Sequence, residues 1–419
     1  TSTNGPIKLV AEAGTITANG GGDAASVSAG GDGDLLLEAR GGSSDVIVGA
    51  TVESGSGNIT LDADRNVDVN AAVTVSSGGG TIFVLSGVDT DIDAAVTTAD
   101  GDILVEAVDD IRQTALISST AGDIGLIAAQ NVDQSATGDV TTTTGDVLVN
   151  AGGSLTMDAD ATITAGGGDI LGQAGGNIML GVISATNAAA NRIALSAGMS
   201  ITDANAAAVN IQETVAGATT TLSLRAGNGT IGAADAANGT PNVNVNAIDL
   251  NVDTVAATTA SAAGTDGIYL RELAAGTTLT VDTVSAVTVD VESVMRVNFN
   301  STLADASLTA TTLNALEDLT TAANGPIKVV AEGGTLTVNA GTAATVGVSA
   351  NGSGDILLEA RGAGSDVVVN ADVLTSNGAG GAGTGHITLD ADDDVDVNDV
   401  LTTGGAGTVV LLAADNTAD

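Results

Sequence analysis

The sequence predicts an all-β chain folded as a right-handed parallel β-helix, a β-solenoid of three-sided coils, and three observations carry that prediction. One short phrase recurs: Gly101-Asp102-Ile103-Leu104-Val105-Glu106-Ala107 is echoed by Gly122-Asp123-Ile124-Gly125-Leu126-Ile127-Ala128, and Gly145-Asp146-Val147 opens another copy. The steps from Ile103 to Ile124 and from Ile124 to Val147 are 21 and 23 residues, the length of one solenoid turn. The composition excludes most alternatives: 419 residues hold three aromatics, Phe83, Phe299 and Tyr269, no Trp, 57 Gly and 3 Pro. Such a core is built from Val, Ile, Leu and Ala, in short strands joined by tight turns.

Each phrase opens with Gly, then Asp or Asn, then an apolar anchor followed by inward residues at alternate positions. Anchors fall at Ile7, Leu35, Ile59, Ile82, Ile103, Ile124, Val147, Ile170, Ile193 and Leu222. Less regular ones follow at Ile248, Ile268, Val287 and Leu308, and the clear phrase returns at Ile327, Ile356, Ile387 and Val409. Period-2 alternation makes each phrase a strand, with Ile103, Val105 and Ala107 on one face and Leu104 and Glu106 on the other. A second strand starts eight residues after the anchor, at Val67, Ile111, Val132, Leu155, Ile178, Ile201 and Val395. A third apolar pair follows, such as Val73 and Val75. Three strands per turn describe a three-sided coil, and connections between parallel strands are right-handed. The 18 anchors, spaced 19 to 31 residues apart, predict about 18 coils and a rod of roughly 85 Å.

A longer repeat overlies the first. Asn4-Gly5-Pro6-Ile7-Lys8 returns 320 residues on as Asn324-Gly325-Pro326-Ile327-Lys328. Residues 34–48 (DLLLEARGGSSDVIV) return at 355–369 (DILLEARGAGSDVVV) with 11 of 15 positions identical, and residues 58–70 return at 386–398 with 10 of 13. The chain therefore reads as one continuous solenoid, 1–419: a long unit, 1–320, and the start of a second copy, 321–419. This is the pattern of a tandem array. Residues 248–320 are the least regular, as expected where loops are inserted.

Ten basic against 51 acidic residues give a formal charge of −41. Nucleic acid is excluded as a partner, since phosphate binding needs a basic stripe that the scattered Lys8, Arg40, Arg65, Arg112 and Arg192 do not supply. The longest uncharged span near the middle, 170–191, is broken by Gly, Gln and Asn, so no transmembrane segment is expected. An outer-membrane barrel needs aromatic girdles that three rings cannot make. The absence of Cys is compatible with an oxidising exterior.

The repeated Gly-Asp-Ile-x-Leu-x-Ala phrases, the Asn/Asp-Val-x-Val stretches after them and the acidic Thr/Gly/Ala-rich background resemble the large secreted adhesins of the filamentous haemagglutinin and autotransporter type. The resemblance is in the style of the repeat and covers most of the chain. It implies a right-handed β-helix exported to the cell surface, working in adhesion or as a fibre.

Two constellations stand out as candidate sites. The acid before each anchor, at Asp34, Asn58, Asp102, Asp123, Asp146, Asp169 and Asp355, forms a ladder if coils stack in register. Neighbouring carboxylates about 4.8 Å apart repel by roughly 0.9 kcal/mol even in bulk-water dielectric. Either each acid caps the backbone of its own Gly-Asp turn, or Ca²⁺ sits between the rungs on Asp102, Asp123, Asp146 and Asp169. No other cofactor is required. A second corner, at Asn66, Asp91, Asp110, Asn131, Ser154, Asn177, Ser200 and Asp394, reads as turn capping. The second constellation is apolar: Leu36, Phe83, Leu85, Leu104, Ile127, Leu148 and Leu171 occupy outward positions of the phrase strands. A continuous apolar face marks an interface, covered either by a loop or terminal segment of the same chain or by another chain packing laterally.

No catalytic residue is assigned. Paired carboxylates are abundant by composition alone, no aromatic platform for a sugar is available, and the lone His386 occupies the slot of Asn58, a turn position. The expected function is an extracellular, cell-surface structural fibre or adhesin. It would assemble end to end and laterally with its own kind and bind a cell-surface or matrix glycan. A Ca²⁺-dependent surface-layer or matrix protein is the alternative, and a polysaccharide-acting β-helix enzyme the rival from another class.

Overall fold

The computed structural model describes residues 1–20, 27–187, 190–206, 208–215, 217–234, 246–300, 302–342, 345–375 and 384–414. Every regular element among the described residues is a β-strand. The strands pair in parallel in long stacked sheets, as a parallel β-solenoid requires. Two compact units divide the chain. Unit 1 is Thr1–Gly175 with Ser184–Asn187 and Thr288–Thr312; unit 2 is Gly176–Ile183, Ala188–Val287 and Leu313–Asp419.

In unit 1 strands recur in threes, and each stacks on its equivalent in the next repeat. The phrase strands Ile7–Ala11, Leu35–Ala39, Ile59–Ala63, Ile82–Ser86, Ile103–Ala107, Ile124–Ala128, Val147–Ala151 and Ile170–Ala174 form one parallel sheet, anchor over anchor. A second sheet contains Val67–Val69, Thr90–Ile92, Ile111–Gln113 and Val132–Gln134, and a third contains Val73–Val75, Val96–Thr98, Ile117–Ser119 and Val140–Thr142. Inward residues make continuous apolar files, of which Ile82, Ile103, Ile124, Val147 and Ile170 are buried. Each such side chain stabilises the fold by about 1.5–3 kcal/mol. Inward hydroxyls satisfy the corners: Ser119 Oγ donates to the Gly101 carbonyl (3.0 Å) and accepts the Gly122 N–H (2.8 Å), and Thr142 Oγ1 does the same with Gly122 and Gly145. The opening Gly has a steric cause. A Cβ on Gly101 would lie 2.1 Å from the Gly80 carbonyl oxygen and one on Gly145 2.2 Å from that of Gly122, so only glycine fits the file.

Unit 2 reuses the scheme with a change of phase. Ala190–Ala197 pairs with Thr219–Ala226 over eight residues, and Thr254–Thr259 stacks next. That strand passes its two halves to different successors, Thr254 and Val255 to Leu279–Val281 and Ala257 to Thr259 to Leu319–Thr321. The phrase strands Ile268–Glu272, Ile327–Ala331, Ile356–Ala360, Ile387–Ala391 and Val409–Ala413 then stack anchor on anchor.

Three expected anchors are corrected here. Val255, not Ile248, takes the rung next to Leu222; Ile248–Asn251 pairs instead with Ile268–Glu272, Ile248 opposite Leu270. Two apolar alternating strands lie side by side in that stretch, and spacing alone does not choose between them. Val287 and Leu308 are not rungs. Val287–Val291 pairs with Leu308–Leu313 as a separate two-stranded sheet, and Met295–Val297 pairs antiparallel with Leu303–Asp305. These strands belong to an excursion between the second strand (Leu279–Val281) and third strand (Leu319–Thr321) of one coil, which accounts for the irregularity of 248–320.

Candidate interaction surfaces

The acid ladder forms, and its wiring differs from the expected one. Each side chain caps the coil that follows rather than its own turn: the Asn58 N–H donates to Asp34 Oδ1 (2.9 Å), Asp123 N–H to Asp102 Oδ1 (2.8 Å), Asp146 N–H to Asp123 Oδ1 and Asp169 N–H to Asp146 Oδ1 (both 2.7 Å). The carboxylate repulsion is thus offset rung by rung with charge-assisted hydrogen bonds. Burial still pushes the Asp123 carboxyl up to about 6; the Asp146 N–H opposes this, while the charges of Asp102, Asp146 and Asp290 add to it.

The second corner is wired in the same way. Asp110 N–H donates to Asp89 Oδ1 (3.2 Å), Asn131 N–H to Asp110 Oδ1 (3.0 Å) and Ser154 N–H to Asn131 Oδ1 (2.9 Å). Asp89 therefore holds the corner position expected of Asp91. Asp91 lies within the strand Thr90–Ile92, between Asp68 and Arg112 on neighbouring rungs. Two acids flank Thr90, and the sequence alone does not say which one the turn uses. His386 acts as a turn residue. Its Nδ1 accepts the Thr408 N–H (3.1 Å), as Asn58 Oδ1 accepts that of Thr81 (3.0 Å). Among the described residues, one group of three acids converges within 4.8 Å: Asp366, Asp393 and Asp394. Of the expected set, Asp102, Asp123 and Asp146 act as caps, and the Asp169 N–H donates to the last of them.

The apolar face takes one of its two expected covers, a segment of the same chain. Leu36, Phe83, Leu104, Leu148 and Leu171 are no more than 3 % exposed, while Leu85 and Ile127, on the neighbouring outward file, are half-buried. The face expected to take a lateral partner is covered within unit 1 by Thr288–Thr312, hereafter the strap. Alternate strap N–H groups face the sheet: Ser293 donates to Asp102 Oδ2 (2.9 Å), Met295 to Thr81 Oγ1 (3.0 Å) and Val297 to Thr60 Oγ1 (2.8 Å). Arg296 pairs with Asp62, and Lys8 Nζ donates to the carbonyl of Asn298 (2.8 Å). Gly125 leaves a gap in the file between Leu104 and Leu148. A Cβ there would come within 3.1 Å of Val291 Cγ2 and 3.4 Å of Leu308 Cδ1. The signal that could have revealed the strap is the alternation Val287, Val289, Val291 with no Gly-Asp opener.

Unit 2 carries the same docking groups on its own phrase sheet, at Lys328, Leu357, Thr388, Asp390 and Thr408. Leu357, Thr388 and Asp390 are half-buried, whereas Leu36, Thr60 and Asp62 in unit 1 are buried. A cavity of about 560 Å³ lies over this face, lined by Tyr269, Pro326, Lys328, Leu357, His386 and Thr388 among others. Among the described residues no helix is long and apolar enough to cross a membrane.

Comparison with protein-family models, with curated proteins and with solved structures finds no match for this chain.

Proposed function

We propose that this chain is a structural β-solenoid of the cell exterior, a fibre or adhesin segment whose repeats stack end to end. The observation that carries the reading is the wiring of the corners. Each coil presents side-chain acceptors for the backbone of the next at the same positions, so one repeat can follow another without new chemistry. The long-range copy of residues 34–48 at 355–369 supports a tandem array. The strong negative charge favours solubility and disfavours nucleic acid. The reading contains no catalytic step, and its adhesive partner would be a cell-surface or matrix glycan.

The alternative is a version in which Ca²⁺ between the rungs, on Asp102, Asp123, Asp146 and Asp169, holds the assembly. Electron microscopy of the purified chain with and without a calcium chelator tests both. Filaments in both conditions support the fibre. Filaments lost on chelation support the calcium-dependent version, and single short rods in both conditions overturn end-to-end assembly.

A further inference from the structure

Four of the groups through which unit 1 binds the strap recur on unit 2. The strap contributes the Met295 and Val297 N–H groups, the Arg296 guanidinium and the Asn298 carbonyl. In unit 1 they meet Thr81, Thr60, Asp62 and Lys8 in that order. The corresponding residues of the second copy are Thr408, Thr388, Asp390 and Lys328, at the same offsets from their anchors. Their spacing is preserved as well as their identity. Ile327, Ile356, Ile387 and Val409 stack anchor on anchor, so Lys328, Leu357, Thr388 and Val410 form one outward file, as Lys8, Leu36, Thr60 and Phe83 do.

The two files differ in cover. Leu36 is 1 % and Thr60 0 % exposed, while Leu357 and Thr388 are half-buried beneath the cavity. Burial of the corresponding acids follows the same order: Asp62 is buried against Arg296 and Asp390 is not.

We propose that the outward face of Ile327–Ala331, Ile356–Ala360 and Ile387–Ala391 is a docking site for a second copy of the strap, supplied by another repeat. Met295 and Val297 N–H groups dock on Thr408 and Thr388, Arg296 pairs with Asp390, and Lys328 takes the Asn298 carbonyl. Tyr269, on the rung next to Lys328, adds an aromatic wall. The inference goes beyond the fibre reading and is independent of filament formation, since the face can take a strap on a single rod.

The test is titration of the whole chain into a fluorescently labelled synthetic peptide of residues 288–312, read by anisotropy. Saturable one-to-one binding is expected, lost at least about tenfold with Leu357→Asp and with Thr388→Asp, each checked for folding by circular dichroism. Because a peptide can also exchange with the resident strap, a charge swap separates the faces. A peptide carrying Arg296→Asp should bind the unaltered chain weakly and regain affinity for the Asp390→Arg chain. No binding overturns the proposal, as does binding that ignores Leu357→Asp and Thr388→Asp. Self-association that needs Leu357 while the peptide fails to bind also overturns it, placing a second copy of the coil face there instead.

Discussion

The Val297 N–H and the Thr60 hydroxyl, 237 residues apart in sequence, meet at 2.8 Å in a buried hydrogen bond. This contact seats the strap on the outward face of the phrase sheet. Thr60→Val keeps the shape of the side chain but leaves the Val297 N–H buried without an acceptor. The expected cost is about 1–3 kcal/mol, seen as a lower urea midpoint and as faster amide exchange in 293–299 than in the phrase strands.

Asp123 separates capping from charge. Asp123→Asn retains an Oδ1 for the Asp146 N–H, as Asn58 does for Thr81, and removes repulsion from Asp102 and Asp146. At neutral pH this variant should gain up to about 1 kcal/mol. Asp123→Ala should lose about 1–3 kcal/mol, because the Asp146 N–H then lacks its partner. Paired urea melts of the two variants check the contrast.

Stability should fall as pH rises from mildly acidic to alkaline. Burial raises Asp123 and Asp318 from their ordinary 3.8 to about 6, and Glu272 from 4.5 to about 8. The folded state therefore holds protons that the unfolded chain has released, and the slope of stability with pH is negative through that range. The contribution is fully present below the unfolded pKa values and lost by the time pH passes the folded ones. Asp45, lowered chiefly by its hydrogen bond to Arg65, acts in the opposite sense, its stabilisation being lost as pH falls. Urea midpoints should be higher at about pH 5 than at about pH 9; equal midpoints would refute the assignment.

The Asp249–Arg271 pair is the most buried ion pair among the described residues, with side chains 0 % and 8 % exposed and Nε to Oδ1 at 2.7 Å. Arg271→Met strands a buried carboxylate and should cost about 3–5 kcal/mol. The double variant Asp249→Leu with Arg271→Met should recover much of that, and a two-by-two denaturation cycle measures it.

Gly122→Ala places a methyl group 2.3 Å from the carbonyl of Gly101. The atoms it meets are backbone of the preceding coil, Gly101 and Asp102, which cannot swing aside, so a loss of at least about 2 kcal/mol is expected. A variant as stable as the parent would mean that the coils separate more easily than their hydrogen bonds suggest.

The regular coils were legible because three local causes act together there. The Gly fits against the preceding carbonyl, the Asp or Asn caps the next N–H, and the anchor alternates inward. The second corner was legible to within two residues, Asp89 against Asp91, because either acid beside Thr90 satisfies the same spacing. The apolar outward file was visible, but its cover was not. A strand such as Met295–Val297 alternates whether it is a rung or a strap.

Sequence alone determined the all-β solenoid class, the turn length and most of the residues that form the ladders. All of these depend on contacts between positions one turn apart, and the repeat prints that spacing into the chain. Tertiary structure alone decided that Val287 and Leu308 leave the stack and that Leu36, Phe83 and Leu104 are covered from within unit 1. It also decided that Leu357 and Thr388, with nearly the same neighbours in sequence as their counterparts, are only half-buried. Those outcomes depend on where a 25-residue excursion, Thr288–Thr312, comes to rest. Contacts across more than two hundred residues leave no period in the sequence to read.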